Sequence, residues 1–95
     1  MNLLEFEKSL ADNNPPEDLR PVLVALWYDH KGNWTKAHDV AQDIPGPDGS
    51  LIHAYLHRKE GDIWNARYWY QKAGSEMPDA SLEDEWRELV KSYLT

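Results

Sequence analysis

The chain has 95 residues, a formal net charge of −7 and no cysteine. This length allows one modest hydrophobic core, so we expect a single domain over residues 1–95. The lack of cysteine excludes disulfides, thiolate metal sites and cysteine nucleophiles. The net charge is negative and the basic residues are scattered along the chain. This argues against a nucleic-acid partner, because nucleic-acid binding depends on Lys and Arg side chains that contact phosphates.

The N-terminal segment, MNLLEFEKSL, has no basic segment followed by an apolar run and no stretch that could cross a bilayer. The sequence therefore predicts neither an export signal nor a membrane partner. We expect a cytoplasmic protein.

Helix signals occur along the whole chain. A first short helix with an apolar side ends at the Asn-Asn-Pro-Pro cluster of residues 13–16. A second helix is expected to begin with Asp18 as its N-cap and to stop at Gly32. Asn33 is a suitable N-cap for a third helix over about 34–43.

Residues 44–49 contain two prolines and two glycines, which predicts a loop. Ser50 is then expected to cap a fourth helix, Gly61 to end it with a positive φ, and Asp62 to cap a fifth. A last helix over about 80–94 repeats its apolar residues at spacings of four, three and four. No segment shows the alternation of a half-buried strand, so the fold class is predicted to be all-α.

Two similar motifs lie between helices, G-N-W-x-x-A at 32–37 and G-D-I-x-x-A at 61–66. The segment 50–78, which contains the second motif, resembles a tetratricopeptide unit. Positions that match that family's pattern are Ala54, Gly61, Ala66, Tyr70, Ala73 and Pro78.

The resemblance implies a small array of antiparallel helix pairs that binds peptides on a concave face. It implies a weak first unit at 18–43, the tetratricopeptide-like unit at 50–78 and a C-terminal capping helix at 80–94. Gly32 and Gly61 lie 29 positions apart, whereas the repeat of the family is about 34 residues long. The first unit is therefore a shortened one.

His53, His57 and Glu60 fall on one face of the predicted fourth helix, at spacings of four and three. Two imidazoles at this spacing can bind one metal ion, and Glu60 could add an oxygen ligand. The general base of an H-E-x-x-H motif is missing, because Ala54 follows His53. The preferred interpretation is that the histidines are ordinary polar residues, since two ligands and one carboxylate rarely suffice. His30 and His38 could complete a cluster, but their positions do not follow from the sequence.

Trp64 and Tyr68 lie four positions apart, on a side of the fifth helix away from its alanines. They are interpreted either as an exposed surface for a ligand or partner, or as part of a second packing layer. Packing is preferred, because a small core needs large aromatic side chains.

No nucleophile elbow, phosphate-binding glycine loop or dinucleotide fingerprint is present, so no catalytic residue is assigned. The sequence favours a non-catalytic module for protein–protein interaction or self-association, with a protein or peptide partner and no cofactor. The alternative is a small-molecule or metal-binding protein that uses the His53, His57 and Glu60 face. On the sequence alone, we expect no metal-dependent stabilisation.

Overall fold

A computed structural model describes residues 1–94, and within this range it contains six α-helices and no strand. The predicted all-α class is confirmed. No helix in the described range is long and apolar enough to cross a bilayer. The helices are α1 (Leu3–Ser9), α2 (Pro21–His30), α3 (Trp34–Gln42), α4 (Gly46–Lys59), α5 (Ile63–Lys72) and α6 (Leu82–Leu94).

The turns that follow α2 and α4 have nearly the same geometry. Gly32 and Gly61 have φ values of 85° and 89°, in the left-handed region where glycine is favoured. The next residues, Asn33 and Asp62, each accept a hydrogen bond from the backbone N–H three positions later. The predicted breaks and N-caps at these two turns are confirmed.

The predicted loop at 44–49 is wrong, because α4 already begins at Gly46. Pro47 occupies the first turn of this helix, where its missing N–H has no intrahelical acceptor to lose. Gly49 is required there: a Cβ atom at this position would lie 2.0 Å from the carbonyl oxygen of Ile44. The glycines and prolines of this segment therefore serve a tight helix start, and α3 and α4 are joined closely.

Two predicted N-caps are also wrong. Ser50 is buried inside α4 and not at its start. Asp18 has a φ of 64° and precedes the observed N-cap of α2, Arg20. Pro21 begins α2 with a preset φ, which supports the helix start without a side-chain cap.

Helix α4 contacts α2, α3, α5 and α6. Two carboxylates that are almost fully buried, Asp29 of α2 and Glu85 of α6, meet its second half. Asp29 accepts hydrogen bonds from the Tyr55 hydroxyl at 3.0 Å and from Lys59 Nζ at 2.9 Å, and Glu85 accepts one from Arg58 at 2.7 Å. Because an unpaired buried charge is costly, these pairs fix the position of α4 against α2 and α6.

Trp86 of α6 lies in the main core, next to α1 and α2. Its side chain is 1% exposed, its Nε1–H donates to the Leu26 carbonyl at 2.9 Å, and its ring lies 6.0 Å from that of Phe6. Trp64 of α5, by contrast, is 78% exposed. The two tryptophans therefore form a matched pair for testing how α6 is held.

Trp86→Ala should lower the free energy of unfolding by about 3–5 kcal/mol, because it leaves a large cavity and an unpaired carbonyl. Trp64→Ala should change the same quantity by less than about 0.5 kcal/mol. Urea denaturation of both variants measures the difference. Equal losses in the two variants would contradict the docked position of α6.

Candidate metal centre

Three imidazoles converge between α3 and α4. His38, His53 and His57 each offer a ring nitrogen, and these nitrogens lie within 4.8 Å of one another. The closest pair is Nε2 of His38 and Nε2 of His53, which are 2.8 Å apart. His57 is buried and the other two side chains are half-buried. We refer to these residues as the three-histidine cluster.

Helix geometry and one tryptophan place the three rings. His53 and His57 are one turn apart on α4, and their rings stack at 4.9 Å with an interplanar angle of 14°. His38 approaches from α3, where its ring stacks on Trp34 at 4.9 Å. Trp34 in turn donates its Nε1–H to the Leu56 carbonyl at 2.8 Å. Trp34 thus fixes the ring of His38 relative to α4.

The surroundings of His53 disfavour its protonated form. Burial, followed by the neighbouring rings of His38 and His57 and the Lys72 ammonium, lowers the pKa of His53 from 6.5 to about 4. Its ring also stacks on Trp69 at 4.1 Å and 10°. His53 is therefore neutral at physiological pH, which is the form that binds a metal ion.

Glu60, a candidate ligand in the sequence analysis, lies beside the three-histidine cluster. It does not belong to the three-histidine cluster; its Oε1 lies 2.6 Å from Nδ1 of His57. An ionised carboxylate only accepts hydrogen bonds, so the neutral ring of His57 must donate from Nδ1 and leave Nε2 with a lone pair. Metal-binding histidines are commonly oriented by such a carboxylate. Glu60 is therefore placed to orient the ring of His57.

The spacing of the cluster suits a small tetrahedral ion. Zinc–nitrogen distances of about 2.0–2.1 Å separate two nitrogen ligands by about 3.3 Å. The His38 and His53 nitrogens, now 2.8 Å apart, would move apart by about half an ångström to reach this geometry. The ring nitrogen of His57, which lies within 4.8 Å of the other two, would complete the set of three ligands.

A second group of three ligand atoms within 4.8 Å consists of His57, Glu60 and Asp62. Glu60 and Asp62 are exposed. The Asp62 carboxylate already accepts hydrogen bonds from the backbone and the side-chain amide of Asn65, which lower its pKa. The three-histidine cluster is the better metal site, because it is less exposed than Glu60 and Asp62 and supplies three imidazole nitrogens.

His30, the other histidine that could have completed a cluster, lies elsewhere. Its ring packs on Trp86 at 4.3 Å, and its Nε2 is 3.6 Å from a carboxylate oxygen of Glu83. It therefore belongs to the contact between α2 and α6.

The two candidate aromatic residues of α5 are exposed, and the preferred prediction that they pack in a second layer is wrong. Trp64 is 78% and Tyr68 49% exposed, and their rings are nearly parallel with centroids 6.4 Å apart. Ile63 is also exposed. Together with Arg67 they line one shallow surface, which we call the aromatic surface. The reason is that α5 has close backbone contacts with α4 alone.

From the sequence, His38 could complete a cluster but has no defined position, and neither Trp34 nor Trp69 is assigned to the site. The signal available for His38 was its spacing of four from Trp34, which is typical of stacked side chains on one helix face. That signal does not indicate which neighbouring helix the face contacts. The predicted loop at 44–49 separated α3 from α4 too far for the contact to be expected.

No family model, curated protein or solved structure matches this chain. A function must therefore be argued from the geometry of these residues.

The stability of the fold should fall as the pH decreases through the range from 6.5 to 4. His53 takes up its proton near pH 6.5 in the unfolded chain but only near pH 4 in the folded one. The unfolded state therefore binds more protons in this window, by up to about one per molecule from this residue. His38, His57 and Lys72, which face His53, disfavour its charge in the folded state.

Urea denaturation between pH 5 and pH 7 measures this effect, and His53→Phe should reduce the slope of the unfolding free energy against pH. His30→Gln lies outside the cluster and should not change the contribution of His53 to the slope of the unfolding free energy against pH. An equal slope in wild type and His53→Phe would contradict the assignment.

Proposed function

We propose that this protein binds one divalent transition-metal ion through His38, His53 and His57, with Glu60 orienting His57. The observation that carries the proposal is the convergence of three imidazole nitrogens, from two helices, within 4.8 Å of one another. Imidazole nitrogens that converge in this way suit a metal ion, and the hydrogen bond between the rings of His38 and His53 already holds two of them together. Metal binding, which was the alternative function in the sequence analysis, is therefore proposed ahead of protein–protein interaction.

The type of donor selects the ion. Three neutral imidazoles suit zinc, nickel, cobalt or copper, whereas magnesium and calcium prefer oxygen ligands. Glu60 is engaged with His57 and adds no oxygen to the cluster. We therefore expect zinc or its close neighbours in the first transition row, and no binding of magnesium.

Isothermal titration calorimetry of the metal-free protein with Zn²⁺ should show one site per chain. His38→Ala should abolish this binding, because it removes a ligand, and Glu60→Gln should weaken it by about 10–100-fold, because it removes the carboxylate that orients His57. His30→Ala is the matched control and should bind zinc as the wild type does.

Binding that survives in His38→Ala but is lost in Asp62→Asn would place the ion at the group formed by His57, Glu60 and Asp62. That result would contradict the proposal. Thermal stabilisation by Zn²⁺, absent with Mg²⁺, provides an independent measurement.

For the architecture, we propose an array of two antiparallel helix pairs, α2–α3 and α4–α5, with α6 as the capping helix. Support comes from the equivalent turns at Gly32 and Gly61 and from the extensive contacts within each pair. Ala37 and Ala66, equivalent in the two motifs, are both fully buried. Small residues at these positions allow the helices of each pair to approach closely.

A second candidate function, protein–protein interaction or self-association, uses the aromatic surface of Ile63, Trp64, Arg67 and Tyr68. Contiguous exposed aromatic side chains favour contact with another protein. The residues that line this surface include no acidic side chain, although the chain carries a net charge of −7. A second copy of the chain supplies a complementary surface, since the first turn of α6 exposes Glu83 and Asp84.

Self-association should therefore be detected by sedimentation velocity as a concentration-dependent increase in mass. The Trp64→Ala and Tyr68→Ala double variant should remain monomeric at the same concentrations, because it lacks the two largest apolar contacts. His38→Ala, a change on a different helix, should associate as the wild type does. A wild-type protein that is monomeric throughout would contradict self-association.

A further inference from the structure

We propose that the metal ion bound by the three-histidine cluster takes a fourth ligand from outside the chain, namely the oxyanion group of a small molecule held beside His53. The oxyanion is a carboxylate or a phosphate. This inference rests on the proposed metal binding and names the class of ligand that the metal site would accept.

The cluster leaves a coordination position open. Within residues 1–94, no fourth histidine, aspartate or glutamate joins His38, His53 and His57 in their group. A site with three protein ligands binds water or a further ligand at its fourth position, whereas structural zinc sites are closed by four protein ligands. Three neutral imidazoles also leave the two positive charges of the ion uncompensated. An anion is therefore the favoured fourth ligand.

A second positive charge lies on the same side of the cluster. The Lys72 ammonium lies 4.8 Å from the centre of the Trp69 ring, and Trp69 stacks on His53. Within the described part of the chain, Lys72 forms no ion pair with a carboxylate. Its charge is thus free to attract an anion towards the metal.

An open groove of about 490 Å³ connects these residues, and we call it the α4 groove. It is lined by His53, Trp69 and Lys72 together with polar side chains of Gln42 and Ser50, and no acidic side chain lines it. Ser50 is 8% exposed and lines the groove, and within the described residues no enclosed side-chain polar atom lacks a hydrogen-bond partner. A hydroxyl donor that faces an open groove beside a lysine suits an oxyanion.

The groove also limits the size of the ligand. Its volume is within the range of sites for small molecules, and its apolar wall is formed by Trp69, Ile44 and Pro47. A ligand with one terminal oxyanion and a small apolar or neutral body therefore fits better than a polyanion, which would lack positive charges for its further groups.

The experiment uses the full-length protein loaded with one equivalent of Co²⁺, whose visible absorption changes when its coordination changes. Acetate and inorganic phosphate are titrated separately, and acetamide serves as the neutral counterpart of acetate. We expect saturable spectral changes with one or both anions and none with acetamide. Whichever anion binds more tightly identifies the source of the oxyanion as carboxylate or phosphate.

Lys72→Met keeps an apolar stem over Trp69 but removes the charge. It should weaken anion binding by about tenfold or more, because it removes a charged contact, and it should not weaken the binding of Co²⁺, because it removes a positive charge that faces His53. Lys36→Met, which removes a lysine stacked on Tyr28 in another part of the surface, is the matched control and should bind both ions normally. Ser50→Ala should weaken anion binding without affecting Co²⁺.

The outcomes separate the two proposals. Co²⁺ binding at one site per chain, with no spectral response to either anion, would overturn this inference and leave the proposed metal binding intact. Equal anion affinity in the wild type and Lys72→Met would overturn the role of the α4 groove. In a further outcome, the anion binds equally tightly to the metal-free and the metal-loaded protein. That result would contradict the inference that the anion is a ligand of the metal. A failure to bind Co²⁺ or Zn²⁺ at all would overturn both proposals.

Discussion

The packing of α4 among four neighbouring helices is the constraint on which the rest of the structure depends. At its C-terminal half, the buried carboxylates of Asp29 and Glu85 are satisfied by Lys59 and Arg58, which come from adjacent positions of the same helix. Two different neighbours, α2 and α6, are thereby tied to one turn of α4. A buried charge must be paired, so neither helix can rotate or slide without a large cost. The opposite side of α4 is then left to α3 and α5, and this is the side that carries His53.

The candidate metal site is a consequence of that arrangement. Because α4 is fixed on one side, α3 approaches it in a defined register, in which Trp34 donates to the Leu56 carbonyl. The same register brings His38 to His53, and the aromatic rings of Trp34 and Trp69 enclose the imidazoles on two sides. Burial keeps His53 neutral, as its lowered pKa indicates. A metal ligand needs a defined ring position, a neutral ring and limited access of water. All three therefore follow from helix packing.

Features that depend on local chemistry could be predicted from the sequence, and features that depend on packing could not. Gly61 and Asp62 mark a helix end and a helix start because positive φ and side-chain capping are properties of one or two residues. The segment 44–49 has the composition of a loop, yet Gly49 is there because α4 passes close to the Ile44 carbonyl, a tertiary contact. His53 and His57 were identified as neighbours on one helix, whereas the third imidazole of the cluster is His38 and not the carboxylate of Glu60. That difference depends on how α3 lies against α4, which a pattern within one helix does not contain.

The two proposed functions meet at α5, and their residues are in contact. Tyr68 of the aromatic surface lies edge-on to Trp69 with ring centroids 5.3 Å apart, and Trp69 stacks on His53. Helix α5 has close backbone contacts with α4 alone, and its Tyr70 donates a hydrogen bond to Glu85 of α6. In the proposed complex, an ion bound to His53 would fix the ring on which Trp69 rests, and Trp69 would fix the part of α5 that presents Tyr68. Occupation of the metal site would therefore also order the surface offered to a partner, and by linkage a partner that prefers the ordered surface would increase the affinity for the metal.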